Sequence, residues 1–278
     1  MKLVWEPKVY LIGQQTVLDE AVFEFLANES AAPNWATDSE VSGEELIEIA
    51  GRTCYMSFPK PRPGGNKAYM NHILESGHGS VLEHQVFSFI LTGVSRSFSH
   101  ELVRHRVGWG YSQLSQRYVD EGDVSVVVPP ALKGEVEAYL AWLDDGSSEP
   151  PKGPALHGQD WVREMENDLA AYRRLSDYLF GKYADIADKT ARRKAAREAA
   201  RSVLPNATET KIVCTANSRA LRHFVEMRAS AMADAEIARV AIALLDQLKL
   251  ASPNVFGDYA TTKAPDGRRV AVTPYRKV

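Results

Sequence analysis

The chain has 278 residues, 45% of them hydrophobic and 25% charged, a balance that excludes disordered and fibrous classes. Lys and Arg number 33 against 36 Asp and Glu, and the net charge of -3 argues against a nucleic-acid binder that works by bulk positive charge. Two cysteines, Cys54 and Cys214, exclude a disulfide framework and a Cys-rich zinc site. The run from Met1 to Pro7 lacks the apolar core of a signal peptide, and no stretch reaches the length of a membrane span. The expectation is a cytoplasmic protein.

In chain order, Lys8 to Ile12 reads as a strand. Polar loops follow at Ala31 to Asp38 and Pro59 to Gly65. Between them, Ser42 and Glu45 form a capping-box pattern ahead of Leu46, Ile47 and Ile49, which predicts a helix. Asn66 to Ser76 reads as the next helix. Alternation of Val86, Phe87, Phe89 and Leu91 predicts a strand over Gln85 to Leu91. Ser95 to Arg104 predicts a helix, and Asp123 to Val128 a strand closed by Pro129-Pro130. Asp144 to Pro154 is a Pro/Gly-rich polar stretch, read as a surface loop near 144–158 within one domain spanning 1–278. Trp161 to Tyr183 predicts a long helix with Leu169, Tyr172, Leu175, Tyr178 and Leu179 on one stripe. Helices over Ala191 to Leu204, Ser218 to Met227 and Asp234 to Leu250, with a strand over Glu209 to Thr215, complete the pattern. The fold class is α/β (α+β), a mixed sheet flanked by long helices.

The densest polar cluster is Glu101-Leu102-Val103-Arg104-His105-Arg106, followed by a Gly-rich run from Val107 to Leu114 and then Ser115-Gln116-Arg117-Tyr118. Guanidinium forks suit phosphates and carbonyls, and glycines let backbone amides approach a ligand. A solvated basic patch around a turn has the same composition. Arg193, Arg197 and Arg201 recur on one helical face, with Arg192 and Arg193 read as solvent-facing. Arg201 precedes Val203-Leu204-Pro205, where the chain turns toward buried structure, and is expected to need an acidic or phosphate partner. Asn217 reads as a helix N-cap, and His223 as either a site residue or a core histidine. Arg228 precedes a small-residue run. Gly77-His78-Gly79-Ser80-Val81-Leu82-Glu83-His84 carries two histidines, but not at the helical spacing of a zinc motif. Neither cysteine has an adjacent His or Lys, so a thiolate nucleophile is not expected.

Together these segments resemble the flavin-dependent thymidylate synthases, from about Glu45 to Tyr259. The strongest pieces are Gly77–His84, Ser95-Arg96-Ser97, His100–Arg106, Tyr111–Tyr118, Ala200-Arg201 with Leu204-Pro205, and Asn217–Arg228. The resemblance implies that Ser80, Arg104, His105, Arg106, Gln113, Asn217, Arg219 and His223 hold FAD. It implies that Glu101, Arg104, Gln113, Leu114, Ser115, Gln116, Arg117, Arg201 and Arg228 hold the nucleotide, with Arg228 as the catalytic arginine at the uracil ring. It further implies a homotetramer with shared active sites, binding no nucleic acid, membrane or metal. The implied reaction is reductive methylation at uracil C5, with methylenetetrahydrofolate as carbon donor and NADPH as reductant.

Two features depart from the family pattern. Eight residues, Val107 to Leu114, separate Arg106 from Ser115 where the family has seven, and Met232 stands where a histidine is usual. The longer spacer resembles the uridylate C5-methylases of polyoxin-type nucleoside-antibiotic biosynthesis, so the expected substrates are UMP and dUMP. Ordinary dUMP-specific thymidylate synthesis is the alternative. A non-catalytic nucleotide- or RNA-binding protein, using the Arg104–Arg117 and Arg193–Arg201 patches, competes from another class. An inactive relative is a third reading.

Overall fold

The computed structural model describes residues 1–30, 32–146 and 148–277. Ala31 at the start of one expected loop, Ser147 inside another, and Val278 lie outside the described residues. The elements run β1 (Lys2–Val4), β2 (Lys8–Gln14), α1 (Asp19–Glu29), α2 (Ser42–Tyr55), α3 (Gly65–Glu75), β3 (Val86–Ser95), α4 (Arg96–Leu102), β4 (Trp109–Gln113) and β5 (Ser125–Val127). They continue with α5 (Lys133–Asp145), α6 (Pro154–Lys182), α7 (Lys189–Ala200), β6 (Glu209–Asn217), α8 (Ser218–Arg228), α9 (Ala235–Ala251), α10 (Pro253–Phe256), β7 (Ala260–Lys263) and β8 (Arg269–Val272). The four-stranded sheet has the order β2–β3–β6–β4. This is the mixed α/β architecture that the periodicities predict. Among the described residues no helix is long and apolar enough to cross a membrane.

The chain divides into two compact units. One comprises Met1–Lys8, Leu91–Leu102 and Ser112–Ile212. There β1 pairs in parallel with β5, Leu3 opposite Val126, and Val128, Val136 and Val162 form a core with Leu3, Trp5 and Tyr139 against it. The other comprises Val9–Ile90, Val103–Tyr111 and Val213–Val278. Its core includes Leu26, Trp35 and Phe58, with Trp35 edge-on to Phe58 at 5.2 Å, and the buried face of α9 from Ile237 to Leu248. The β7–β8 hairpin pairs Ala260 with Val272.

Several expectations are corrected. The capping box at Ser42 does not form, because Val41 is the N-cap and Ser42 is already helical. Ser39 takes over: its hydroxyl accepts from the Val41 amide at 3.2 Å and donates to Glu44 at 2.7 Å. The loop near 144–158 is shorter than expected. Asp144 and Asp145 end α5 before Gly146 in the left-handed conformation, and Pro154 starts α6, as proline does at a first helical turn. On α6 Leu169 and Tyr172 are buried, whereas Leu175 and Tyr178 of the same expected stripe are exposed. Ser95 ends β3 rather than starting α4, and its hydroxyl accepts from the Phe98 amide at 3.0 Å. The expected Gly-rich loop after Arg106 contains β4, since Tyr111 and its neighbours pair in the sheet despite Gly108 and Gly110.

Candidate active site

Within the second unit, α8 organises the first group of side chains. The Asn217 side chain accepts from the Ala220 amide at 2.9 Å, the cap that satisfies an orphan N–H of the first turn. The Asn217 amide donates to the Gly108 carbonyl at 3.1 Å. Gly108 has φ +74°, and a Cβ there would meet Asn217 Nδ2 at 2.7 Å, so only glycine fits the turn. One face of α8 buries Leu221, Phe224 and Val225. The other presents Arg219 and His223 to a cavity of about 430 Å³ that Glu83, Val107, Asn217 and Lys277 also line. His223 is exposed there, which removes the core-histidine reading. Arg219 pairs with Glu83 at 2.6 Å, both half exposed, a contact that fixes direction more than stability. A second cavity of about 290 Å³ shares Arg219 and is lined by Cys54, Tyr69, His78 and Ser80.

His105 and Arg228 meet in the same unit. Arg228 Nε donates to His105 Nε2 at 3.1 Å, which leaves the imidazole proton on Nδ1. The His105 ring stands edge-on to Phe224 at 5.1 Å, and Tyr111 donates its hydroxyl to the His105 carbonyl at 2.7 Å. Trp109 stacks on Tyr111 at 5.7 Å. Burial, then the charges of Arg228, His223 and Arg104, push His105 down to about 4, so it is neutral at physiological pH. Arg104 and Arg106 are exposed and line neither cavity.

In the first unit, the segment 113–117 is pinned from three sides. Gln113 Nε2 donates to Ser99 Oγ at 2.9 Å and Thr210 Oγ1 at 3.2 Å, and the Leu114 amide donates to the Lys211 carbonyl at 2.9 Å. Arg96 donates to the Leu114 carbonyl at 2.8 Å and lies 3.9 Å from the buried Glu121. Ser115 Oγ accepts from the Arg117 amide, and Arg117 reaches Glu198 at 3.6 Å. Gln116 and Glu101 are half-buried. Of the two partners expected for Arg201, an acidic one is not found among the described residues: the side chain is exposed, in a 3-10 turn after α7, and makes no ion pair there. Burial, relieved by Glu121 and reinforced by Arg201, lowers the pKa of Arg96. Arg197 binds the Tyr118 carbonyl at 2.9 Å and Asp120 at 2.6 Å, and Arg192 packs over Phe180 at 4.1 Å instead of facing solvent. Arg193 is exposed as expected.

Residues 38–254 match the family described as thymidylate synthase complementing protein. The chain belongs to this family. A flavin-dependent thymidylate synthase of Mycobacteroides abscessus is 46% identical over 245 residues, covering 87% of this chain and 89% of that protein. A flavin-dependent thymidylate synthase of a Mycobacterium species (strain JLS) is 49% identical over 242 residues, covering 86% and 89%. Among solved structures, the UMP/dUMP methylase PolB from Streptomyces cacaoi, bound with 5-Br dUMP, superposes with a TM-score of 0.62 at 20% identity. That match covers 92% of this chain and 96% of PolB and speaks for the fold. The protein is thus an enzyme of the flavin-dependent thymidylate synthase type, a methyltransferase.

Three features of the site were missed from the sequence. Glu83 as the partner of Arg219 lay inside a quoted motif, but nothing local marks a pair 136 residues apart. Lys277 lies beyond every motif. Val107 was read only as spacer, although an exposed valine beside a required glycine is a signal of a shaped turn.

Proposed function

We propose that the enzyme methylates uracil C5 of dUMP reductively, as one domain of a cytoplasmic homotetramer, using FAD, methylenetetrahydrofolate and NADPH. The observation that carries this reading is Arg228 held at Nε by a neutral His105. That contact fixes the plane of the guanidinium, the geometry needed to stabilise an anion on a flat ring.

The cavity on α8 fits a flavin in its chemistry. Arg219 supplies a cation, His223 and Asn217 supply polar ring and amide groups, and Val107 an apolar wall. Ser80, in the neighbouring cavity that shares Arg219, extends the same donor set. A flavin bound there would supply the hydride of the reductive methylation. The protein's part is orientation and charge. Arg228 stabilises the uracil anion. Ser115, Gln116, Arg117 and Arg201 hold the nucleotide, with Glu101 and the pinned Gln113 and Leu114 framing it. The exposure of Arg201 suits a phosphate, because an unpaired surface cation is already solvated and free to meet one.

No thiolate is needed. Burial pushes the Cys214 thiol up to about 12. A second reading, in which UMP is converted as well as dUMP, has the eight-residue spacer behind it. The name of PolB runs in the same direction, and the names of the mycobacterial relatives support thymidylate synthesis.

The test is direct. Purified protein should be yellow or take up FAD, release flavin absorbance on denaturation, and form dTMP from dUMP when methylenetetrahydrofolate and NADPH are supplied. Protein that binds no flavin but binds RNA with steep salt dependence would overturn the reading in favour of a nucleic-acid binder. Light scattering should give four chains per particle, and an active monomer would overturn the shared-site part.

A further inference from the structure

The C-terminal segment reaches the α8 cavity by a defined route. Asp258 accepts a hydrogen bond from Thr273 Oγ1, and Thr273 Oγ1 in turn accepts from the Tyr275 amide at 2.9 Å. Arg222 of α8 donates to the Tyr275 carbonyl at 3.3 Å. One turn beyond His223 on α8, Glu226 takes both of the next residues: Oε1 accepts from Arg276 Nε at 3.0 Å and Oε2 from the Lys277 amide at 2.9 Å. Lys277 has φ +61°, a left-handed conformation uncommon for a residue other than glycine, and the Glu226 contact holds it there. The consequence is that Lys277 lines the cavity with Arg219, His223 and Asn217.

The charge balance of that cavity is uneven. Glu83 is the one carboxylate lining it among the described residues, and Arg219 already engages Glu83 at 2.6 Å. The Lys277 ammonium makes no ion pair among the described residues. A compact point charge of this kind, carried on a flexible stem at a cavity edge, suits a phosphate oxygen.

We propose that the strap Thr273–Lys277 forms one wall of the dinucleotide site and that Lys277 Nζ binds a phosphate of FAD. The proposal rests on the flavin reading above and adds to it a contact from outside every sequence motif. Glu226 is then a positioning residue, acting through the Lys277 amide.

Apoprotein titrated with FAD, and separately with riboflavin, tests it by the quenching of flavin fluorescence at low ionic strength. Lys277→Glu should weaken FAD binding about tenfold, the loss expected of one charge-assisted contact, and leave riboflavin binding unaltered. Raised salt should shrink the difference between wild type and variant. Glu226→Gln, which loosens the strap without touching the cavity, should weaken FAD in the same direction. Lys277 is exposed, so its variants are expected to fold, and unchanged thermal unfolding checks this. Unchanged FAD affinity in Lys277→Glu, or an equal loss for riboflavin, overturns the phosphate contact while leaving flavin use intact. Wild-type apoprotein that binds neither compound overturns the flavin reading itself.

Discussion

Arg228 Nε and His105 Nε2, 123 residues apart in sequence, are joined by a hydrogen bond of 3.1 Å. The histidine must be neutral to accept, and its surroundings make it so. Burial comes first among the causes, followed by the charge of Arg228 itself. The cation thus maintains the acceptor that orients it.

Arg228→Ala should lower kcat by two to three decades, the usual result of removing about 2.7–4 kcal/mol of charge stabilisation aimed at a developing anion. Thermal stability should change little, because the side chain is half-buried and Ala229 and Val225 beside it carry the packing. Steady-state kinetics with dUMP checks this, and near-wild-type turnover in a folded variant removes Arg228 from the mechanism.

The depressed His105 pKa has a consequence for stability. The unfolded chain binds the proton near pH 6.5 and the folded one only near 4. The contribution of a neutral His105 is therefore complete above pH 6.5 and is lost as pH falls toward 4. Urea unfolding of wild type and His105→Gln across that window should show their stability difference narrowing with falling pH. A constant difference would mean that His105 titrates normally.

How much of this could be read from the sequence depends on the distance over which each signal acts. β3 was legible because Phe87, Phe89 and Leu91 alternate and each is buried in the structure. The Asn217 cap was legible because its partner, the Ala220 amide, is three residues away. β4 was not, because Gly108 precedes and Gly110 interrupts a five-residue strand that exists by virtue of its place in the sheet. α1 and α5 escaped notice for another reason: each buries a single residue, Leu26 and Val136, so neither carries a strong apolar stripe. The arginines of the candidate site stood out as residue types, yet the exposure of Arg201 did not, since sequence shows only that the next residues are apolar. Pairings such as Arg219 with Glu83 arise only once the chain is folded.

Arg222 carries the largest stability effect we expect at a single side chain. It is 2% exposed, donates to Asp258 Oδ1 at 2.7 Å and Oδ2 at 2.9 Å, and lies over the Tyr259 ring at 4.8 Å. Arg222→Ala leaves Asp258 buried without its counter-ion, and breaking such a pair costs about 3–5 kcal/mol. Denaturant unfolding should register the loss, together with weaker FAD binding, because Arg222 also holds the Tyr275 carbonyl of the strap. A loss under 1 kcal/mol would show that the pair is well hydrated.

Cys54→Ser and Cys214→Ser should both keep turnover. Cys54 is exposed and its substitution should leave stability unaltered. Cys214 is buried, and the new hydroxyl should cost about 1–3 kcal/mol unless it finds a partner. Loss of turnover in either folded variant would restore a thiolate mechanism.

The spacer decides between the two substrate readings. The extra residue expected from the sequence lies within Val107–Gly110, and there the chain makes a turn in which the Trp109 amide donates to the Arg106 carbonyl at 3.2 Å and Val107 lines the α8 cavity. The hydrogen bonds that pin Gln113 and Leu114 go to Ser99, Thr210 and Lys211, none of them in the spacer. Under the proposed flavin reading, the turn at Val107 shapes the α8 cavity, and the hydrogen bonds of Gln113 and Leu114 do not depend on it. A buried 2′-hydroxyl without a partner costs about 1–3 kcal/mol, so UMP should be converted about 5- to 150-fold less efficiently than dUMP. Deleting Val107 should weaken FAD binding and leave the ratio of kcat/KM for UMP and dUMP where it was. The outcome that would favour the other reading is equally concrete: an intact enzyme that turns over both nucleotides with similar kcat/KM, and a Val107 deletion that moves the ratio toward dUMP. In that case the longer turn would be what admits the ribose, and the substrate range would extend to UMP.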